Sequence, residues 1–381
     1  MVRPNWALVG LAVAAGATLG GLGLFVARRL TAPVSRRVYD LTIRGVDRSG
    51  DQPIVVLDRN HQTAAVGSFC ILLESGGAIR LSSKIEDFGP TLIGREVQDE
   101  GGGNLDAGMR ASWSGIYFLS PQEAGLEATN VDILTEAGPA PAWLIPSHGG
   151  PSNTWAIHIH GLGSSRAGTL RGVQVADTTG LTSLVVSSRN DGEGPAVGTG
   201  RSELGSAELQ DVRAAVRFAR DNGAQQVVLF GWSMGGAIAL QLATDPALRG
   251  VIAGLVLESP ILDWVSTIKA NCERAGLPAW VGLLAAPWLS SRTLSRVTGL
   301  RAPVDLRRFD WIARADELTV PTLILQGRGD TSSPFEFSTR LRSLRPDIVG
   351  LEAFDADHTM SWNSDRERWA AVVTAWLVKK K

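Results

Sequence analysis

Residues 229–236 read LFGWSMGG, and the fold depends on how this stretch is interpreted. The apolar run QQVVLF (225–230) predicts a strand, and the following GGAIALQLATDP (235–246) predicts a helix. A serine on such a sharp strand-to-helix turn exposes its Oγ at the top of a sheet, and small neighbours prevent a steric clash. The chain holds 43 glycines in 381 residues, so the pattern Gly-x-Ser-x-Gly also arises by chance. Ser233 is therefore a candidate nucleophile that needs partners elsewhere in the chain.

From residue 130 to the end, apolar runs alternate with amphipathic segments of helix length. Two strands around a turn are predicted in NVDILTEAGPAPAWLIPS (130–147), and six further runs follow: TWAIHIHG, LTSLVVSSRND, QQVVLFGWS, IAGLVLESP, VPTLILQGRGD and VGLEAFDADH. This alternation predicts an α/β fold whose mostly parallel sheet carries helices on both faces. Ligands of such sheets collect outside the carboxyl ends of the strands, so the partners of Ser233 are expected there.

Two later strand ends supply the groups that a serine nucleophile needs. A serine hydroxyl is a poor nucleophile without a base, and the base needs an orienting carboxylate. The run PTLILQGRGD ends in Asp330, and VGLEAFDADH ends in His358. The chain order Ser, Asp, His is the order expected when the serine lies on this kind of turn. The sequence therefore predicts Ser233 as nucleophile, Asp330 as acid and His358 as base.

Other residues compete for these roles. The alternative role for Asp330 is to cap a turn, because GRGD is rich in turn residues. Glu258 in LVLESP also ends a predicted strand and is the second choice for the acid. His158 and His160 precede the serine in the chain, so their order argues against them as the base.

A glycine-rich loop before the serine is a candidate oxyanion site. The segment IHIHGLGSS (157–165) places Leu162 just after a predicted strand, where its backbone N–H can meet that of Met234. We expect these two N–H groups to bind the oxyanion. His160 is expected to brace the loop by hydrogen bonding, because the base is already supplied by His358.

These motifs together resemble the α/β-hydrolase superfamily. The resemblance is to the branch of prolyl-oligopeptidase-like and serine-aminopeptidase-like hydrolases that includes many carboxylesterases. It rests on HGLGSSR (160–166), SSRNDGEGP (187–195), GWSMGG (231–236), GRGD (327–330) and DADH (355–358). It implies a catalytic triad of Ser233, Asp330 and His358, with oxyanion N–H groups from Leu162 and Met234. The first third of the chain lies outside the resemblance.

The amino-terminal segment WALVGLAVAAGATLGGLGLFVA (6–27) carries no charge. About 22 residues at 1.5 Å each suffice to cross a ~30 Å hydrocarbon layer, so a transmembrane helix is expected. The alternatives are a cleaved signal peptide and a buried core helix. Four arginines follow the span and one precedes it: Arg28, Arg29, Arg36, Arg37 and Arg3. The positive-inside rule then predicts a single-pass membrane protein with a cytoplasmic catalytic domain.

Two modules are expected after this helix. Residues 38–126 hold short apolar runs, such as PIVVLD and ASWSGIYFLS, separated by turn clusters such as DEGGGNLDAG. This pattern predicts a small β-rich module. Residues 130–381 form the predicted α/β domain, with a helical cap insertion at about 259–316. The apolar residues of that insertion either line an acyl pocket, touch the bilayer or, as we favour, pack it onto the core: Trp264, Leu277, Trp280, Leu283, Leu284, Trp288 and Leu289.

The composition limits the remaining classes of function. A net charge of −1 offers no basic face for nucleic acid. Cys70 and Cys272 lie far apart without a Cys-x-x-Cys spacing, so neither a disulfide framework nor a zinc site is predicted. The sequence has no metal-ligand cluster and no Gly-x-x-x-x-Gly-Lys phosphate loop, so no cofactor is expected.

The sequence thus predicts a membrane-anchored serine hydrolase that cleaves an ester or thioester through an acyl-enzyme intermediate. An apolar cap near a membrane anchor favours a small-molecule acyl ester over a polar peptide. A serine peptidase of the aminopeptidase or oligopeptidase type is the first alternative, because the same triad can protonate a leaving amine. A non-catalytic scaffold is the second, because a fold alone does not give a function.

Overall fold

The computed structural model describes residues 6–101, 105–150 and 152–379, and it gives the side chains of the first helix from residue 16 onward. Its strands form two sheets. The strands of the first sheet are β1 (Leu41–Thr42), β2 (Gly45–Asp47), β3 (Ile54–Asp58), β4 (Phe69–Leu73), β5 (Ala78–Asp87), β6 (Leu92–Asp99) and β7 (Arg110–Ser114). Their order is β1-β7-β4-β5-β6-β3-β2, and each pairing is antiparallel. The FCILL run of β4 is buried along its whole length, because it lies between β7 and β5.

The second sheet follows from residue 129 onward. Its strands are β8 (Thr129–Thr135), β9 (Gly138–Ile145), β10 (Thr154–Ile159), β11 (Thr182–Val186), β12 (Gln226–Trp232), β13 (Ile252–Glu258), β14 (Thr322–Gly327) and β15 (Val349–Phe354). Their order is β8-β9-β11-β10-β12-β13-β14-β15. Strands β10 to β15 are mutually parallel, whereas β8 and β9 are antiparallel to their neighbours. The α/β prediction is confirmed, with the difference that one edge of the sheet is antiparallel.

Helices cover both faces of the second sheet. The described helices are α1 (Trp6–Leu30), α2 (Leu170–Thr178), α3 (Glu208–Asp221), α4 (Met234–Ala243), α5 (Trp264–Arg274), α6 (Ala286–Ser290), α7 (Leu294–Thr298), α8 (Phe335–Leu344), α9 (Ser361–Ser364) and α10 (Arg366–Val378). Alternate residues of β12 face opposite sides, so Val227 and Leu229 pack in the cluster that includes α3 and α4. Val228 and Phe230 pack in the cluster that includes α2 and α10. The serine turn after β12 is therefore held between two cores.

An insertion between β13 and β14 contains α5, α6, α7 and a 3-10 segment at Ala279–Ala285. Trp264 and Leu289 of this insertion are buried in the same core as α3 and α4. Helix α1 packs on the insertion from outside. Gly23 of α1 lies so close to Leu284 that an added Cβ would collide with the Leu284 carbonyl group, and Ala27 is fully buried.

These contacts correct the prediction made for the amino terminus. Among the described residues, no helix has both the length and the apolar character needed to span a membrane. The predicted transmembrane helix over 6–27, the single-pass membrane location and the cytoplasmic orientation are therefore wrong. The side chains of residues 6–15 lie outside the description. An uncharged helix with a glycine face can pack closely against protein as well as against lipid, and composition alone does not separate the two.

Candidate active site

The turn after β12 holds Ser233 in a backbone conformation that side chains rarely adopt. Its φ is 52° and its ψ is −113°. A Cβ at Gly231 would collide with Gly235, and a Cβ at Gly235 would collide with the carbonyl oxygen of Ile159 in β10. The N–H of Ser233 donates to the carbonyl oxygen of Glu258 at 3.0 Å. Close packing therefore requires both glycines, and α4 begins directly after the serine.

Ser233, His358 and Asp330 meet at the carboxyl edge of the second sheet. The Nε2 atom of His358 lies 2.9 Å from Oγ of Ser233, and its Nδ1 atom lies 2.9 Å from each carboxylate oxygen of Asp330. The Asp330 side chain is fully buried, and the His358 side chain is 18% exposed. An imidazole bonded at one end to a hydroxyl and at the other to a carboxylate can activate that hydroxyl as a nucleophile.

Hydrogen bonds keep the Asp330 carboxylate ionised. Its Oδ1 accepts the N–H groups of Ser332 and Ser333 at 2.9 and 2.8 Å, and its Oδ2 accepts Nε2 of Gln326 at 3.1 Å. Burial opposes ionisation, but the bond from His358 and the backbone donors outweigh it and hold the pKa of Asp330 below its ordinary value. An ionised aspartate orients the imidazole with Nε2 toward the serine.

Glu258, the alternative acid, binds other partners. Its carboxylate oxygens accept the N–H of Ser361 at 3.0 Å and the Nε1–H of Trp369 at 2.9 Å. Burial raises the pKa of Glu258, although the charge of Arg171 acts in the opposite direction. Glu258 thus joins β13 to α9 and α10, and Asp330 is the carboxylate that contacts the imidazole.

The loop after β10 lies against the serine. An added Cβ at Gly161 would lie 3.2 Å from Cβ of Ser233. Among the residues that the structure describes, neither the N–H of Leu162 nor that of Met234 has a protein acceptor. Met234 is the first residue of α4, so its N–H belongs to the free donors of a helix start. The oxyanion role predicted for these two N–H groups stays a prediction.

His160 is bonded to this loop and to Asp191. Its Nδ1 lies 2.9 Å from the carbonyl oxygen of Gly161, and its Nε2 lies 2.9 Å from Oδ2 of Asp191. The side chains of His160 and Asp191 are each only 4% exposed. Burial alone would lower the pKa of His160, but the hydrogen bond and charge of Asp191 raise it above the ordinary value. These contacts fit the bracing role expected for His160.

A cavity of about 290 Å³ contains Ser233 and His358. One wall is the loop at residues 160–164, and another wall is the segment at residues 113–116, where β7 ends and the chain leaves the first sheet. Small-molecule sites measure roughly 300–1,000 Å³, so this cavity is at the lower limit of that range. Its size suits a small substrate.

The first sheet is bonded directly to the chain that follows β15. The side-chain Nδ2 of Asn363 donates to the carbonyl oxygens of Ser68 and Gly115 at 2.8 and 3.0 Å, and the Asn363 carbonyl oxygen accepts the N–H of Ser68 at 2.8 Å. Nη1 of Arg171 in α2 donates to Oδ1 of Asn363 at 2.5 Å. No local pattern in the sequence marks Asn363 or Arg171, because their partners lie on distant segments.

The apolar residues of the insertion lie away from this cavity. Trp264 and Leu289 are buried in the core, and Leu277 lines a different cavity beside α1. Trp280 and Leu283 are 52% and 48% exposed. The residues that surround Ser233 in the described cavity come instead from loops and helix α2 of the part that carries the second sheet, from residues 113–116 and from Arg37.

The site has the arrangement of an α/β-hydrolase fold: the serine lies on the turn after β12, the aspartate follows β14 and the histidine follows β15. Residues 147–374 match the profile of the alpha/beta hydrolase family, and the chain belongs to this family. The resemblance to the superfamily is thus confirmed, whereas its narrower branch stays a prediction. The first sheet precedes the matched residues.

Solved structures share the fold of the second sheet at low sequence identity. An esterase from Pyrococcus furiosus aligns with a TM-score of 0.52 and 22% identity, covering 68% of this chain and 94% of the esterase. Est1E from Butyrivibrio proteoclasticus, solved with ferulic acid bound, aligns with a TM-score of 0.50 and 18% identity, covering 66% of this chain and 98% of Est1E. No curated protein is matched by the sequence.

Proposed function

We propose that this chain is a serine hydrolase that cleaves a small ester or thioester through an acyl-enzyme intermediate. Ser233 is the nucleophile, His358 is the general base and Asp330 orients the base. The observation that carries the proposal is the continuous hydrogen-bonded chain from Ser233 through His358 to Asp330, beside an open cavity. Membership of a hydrolase family and a fold shared with an esterase support it.

The reaction has two halves. Oγ of Ser233 attacks the carbonyl carbon of the substrate while its proton passes to Nε2 of His358. The carbonyl oxygen becomes negative and accepts the N–H groups of Leu162 and Met234. The bond to the leaving oxygen or sulfur breaks, and the leaving group takes the proton from His358. Water, deprotonated by the same imidazole, then attacks the acyl-enzyme, releases the acid and restores Ser233.

The cavity favours an ester over a peptide. Its volume of about 290 Å³ suits a small acyl group, and residues 113–116 form one of its walls. The same triad can act on amides, and a scaffold without activity would keep the same fold. A substrate comparison distinguishes the peptidase and the inactive scaffold from the esterase.

We also propose a division of the chain into a β-rich module at 38–126 and an α/β domain at 130–381, with its insertion at about 259–316. Two observations support the division. The strands form two separate sheets, and the first sheet has its own hydrophobic cluster, which includes Val55, Ile71 and Ile79.

The experiment compares p-nitrophenyl butyrate, a butyryl thioester and an alanyl anilide as substrates for the full-length chain. We expect turnover of the ester and thioester, and a loss of at least about 10³-fold in Ser233→Ala. Ser343→Ala, which changes an exposed helical serine, is the matched control. A preference for the anilide would identify a peptidase. Failure of the folded wild-type chain to turn over any of the three would support the scaffold.

A further inference from the structure

The first sheet contributes a fixed wall to the cavity of Ser233. Trp113 in β7 lines this cavity, and its ring centroid lies 4.8 Å from that of Phe69. The guanidinium of buried Arg95 lies 5.4 Å from the same indole ring, and its two Nη atoms donate to four backbone carbonyls, three in the loop before β4 and one in β5. A ring packed against an aromatic neighbour and an arginine anchored by four hydrogen bonds has little freedom to move away from a substrate.

Ile116 and Gly115 bring this wall close to the residues of the triad. An added Cβ at Gly168, which lies in the 3-10 turn after the loop at residues 160–164, would be 3.5 Å from Cγ1 of Ile116. An added Cβ at Gly115 would collide with the thioether of Met360, two residues after His358. The wall therefore reaches from the oxyanion loop to the segment that carries the base.

Among the described residues that line this cavity, none belongs to the helical insertion. Leu277 faces a separate cavity of about 350 Å³ that it shares with Phe25, Val26 and Leu30 of α1. Leu284 lies under Gly23 of α1. Part of the apolar surface of the insertion is thus covered by α1, and the described cavity of Ser233 has residues 113–116 as a wall instead.

We infer that the segment at residues 113–116, where β7 ends, sets the size of the substrate, with Ile116 and Trp113 as the residues that limit it to short-chain esters. This inference rests on the proposed hydrolase function. Both side chains are apolar and only partly buried, so they present their surface to the group that occupies the cavity. One methylene in an apolar pocket changes kcat/KM by roughly tenfold or more, so removal of the Ile116 side chain has a measurable effect on chain-length preference.

The test measures kcat/KM for two ester series with wild type, Ile116→Ala and Ile116→Trp. One series holds the alcohol constant and lengthens the acyl group from acetyl to dodecanoyl. The other holds a butyryl group and lengthens the alkyl alcohol. Leu283→Ala, which shortens an exposed apolar residue of the insertion, is the matched control. Labelling of Ser233 by a fluorophosphonate is measured on every variant.

We expect wild type to prefer short chains in at least one series. In that series Ile116→Ala should gain roughly tenfold or more for long chains relative to short ones, and Ile116→Trp should shift the preference further toward short chains. Leu283→Ala should keep the wild-type profile. Unchanged profiles in both Ile116 variants, or a shift in Leu283→Ala alone, with normal labelling of Ser233, would overturn the inference and leave the hydrolase proposal intact. Absence of labelling in folded wild type would instead remove the proposed function.

Discussion

Nη1 of Arg171 donates a 2.5 Å hydrogen bond to Oδ1 of Asn363, and this contact joins α2 to the chain that follows His358. The same nitrogen donates to the carbonyl oxygen of Thr359 at 3.1 Å. Asn363 is 2% exposed, and its remaining amide hydrogens bond to the first sheet. The position of the candidate base therefore depends on three parts of the chain that are far apart in sequence.

Replacement of Asn363 should impair the base without removing it. Asn363→Ala removes the side-chain bonds to Arg171, Ser68 and Gly115, so we expect kcat to fall by about 10²-fold with a smaller change in KM, because a small displacement of a reacting group costs that much. The exposed Asn222, which caps the end of α3, provides the control Asn222→Ala. Steady-state kinetics together with a thermal melt check the prediction. Equal kcat in wild type and a folded Asn363→Ala variant would show that the contact does not position His358.

Asp330 and Glu258 should differ strongly when each carboxylate is neutralised. Asp330→Asn keeps the shape but removes the charge that orients His358, so a loss of about 10⁴-fold in kcat is expected by analogy with other serine triads. Glu258→Gln should lose far less activity, because its partners are Ser361 and Trp369. Rate measurements at saturating ester decide between them. A larger loss for Glu258→Gln than for Asp330→Asn in folded proteins would reverse the assignment of the acid.

The turn around Ser233 should not tolerate a methyl group. Gly231→Ala places a Cβ against the Gly235 backbone, which cannot move aside as a side chain could. We expect a destabilisation of about 1–3 kcal/mol or more, with a matching loss of soluble, active protein. Gly149→Ala is the control, because an added Cβ there meets nothing within 4 Å. Urea unfolding measures the difference, and equal midpoints for the two variants would contradict the packing described for the turn.

Buried His158 should make the fold sensitive to acid. Burial lowers the pKa of His158 to about 3, and the side chain is fully enclosed. Between the ordinary pKa of about 6.5 and that value, the unfolded chain binds a proton that the folded chain does not. The stability present above about pH 6.5 is therefore lost as the pH falls, at up to about 1.4 kcal/mol per pH unit.

His158→Asn should reduce this loss, because it removes the titrating group. The comparison is the difference in unfolding free energy between wild type and variant, measured in urea at about pH 7 and about pH 5. His160, whose pKa is raised, contributes with the opposite sign but is present in both proteins. Relative to wild type, the variant should be less destabilised at about pH 5 than at about pH 7. An unchanged difference would mean that folding does not lower the pKa of His158.

Local patterns were sufficient to predict the second sheet. Runs such as QQVVLF and PTLILQ are short, β-branched and followed by turn residues, and they became β12 and β14. The same runs predicted that Ser233, Asp330 and His358 follow strands that end at one edge, and the structure brings these three side chains within hydrogen-bond distance. Their catalytic roles stay a prediction.

The sequence did not predict what lies around these three residues. Trp113 and Ile116 reach the cavity because the chain after β7 lies against Met360 and Gly168, and no local periodicity encodes those contacts. Helix α1 has an apolar composition that suits lipid or protein equally. The need for glycine at position 23 is visible only in the structure, where the backbone of Leu284 lies against it. A side chain that bonds to distant segments, such as Asn363, cannot be recognised from the residues next to it in the sequence.

The central claim is that Ser233 is an activated nucleophile, and covalent labelling tests it most directly. Full-length wild type and Ser233→Ala are treated with a fluorophosphonate, and the adduct is measured by intact mass and located by peptide mapping. We predict a single adduct on Ser233 in wild type and none in the variant. A folded wild-type chain without an adduct, or an adduct of equal extent in Ser233→Ala, would contradict the claim.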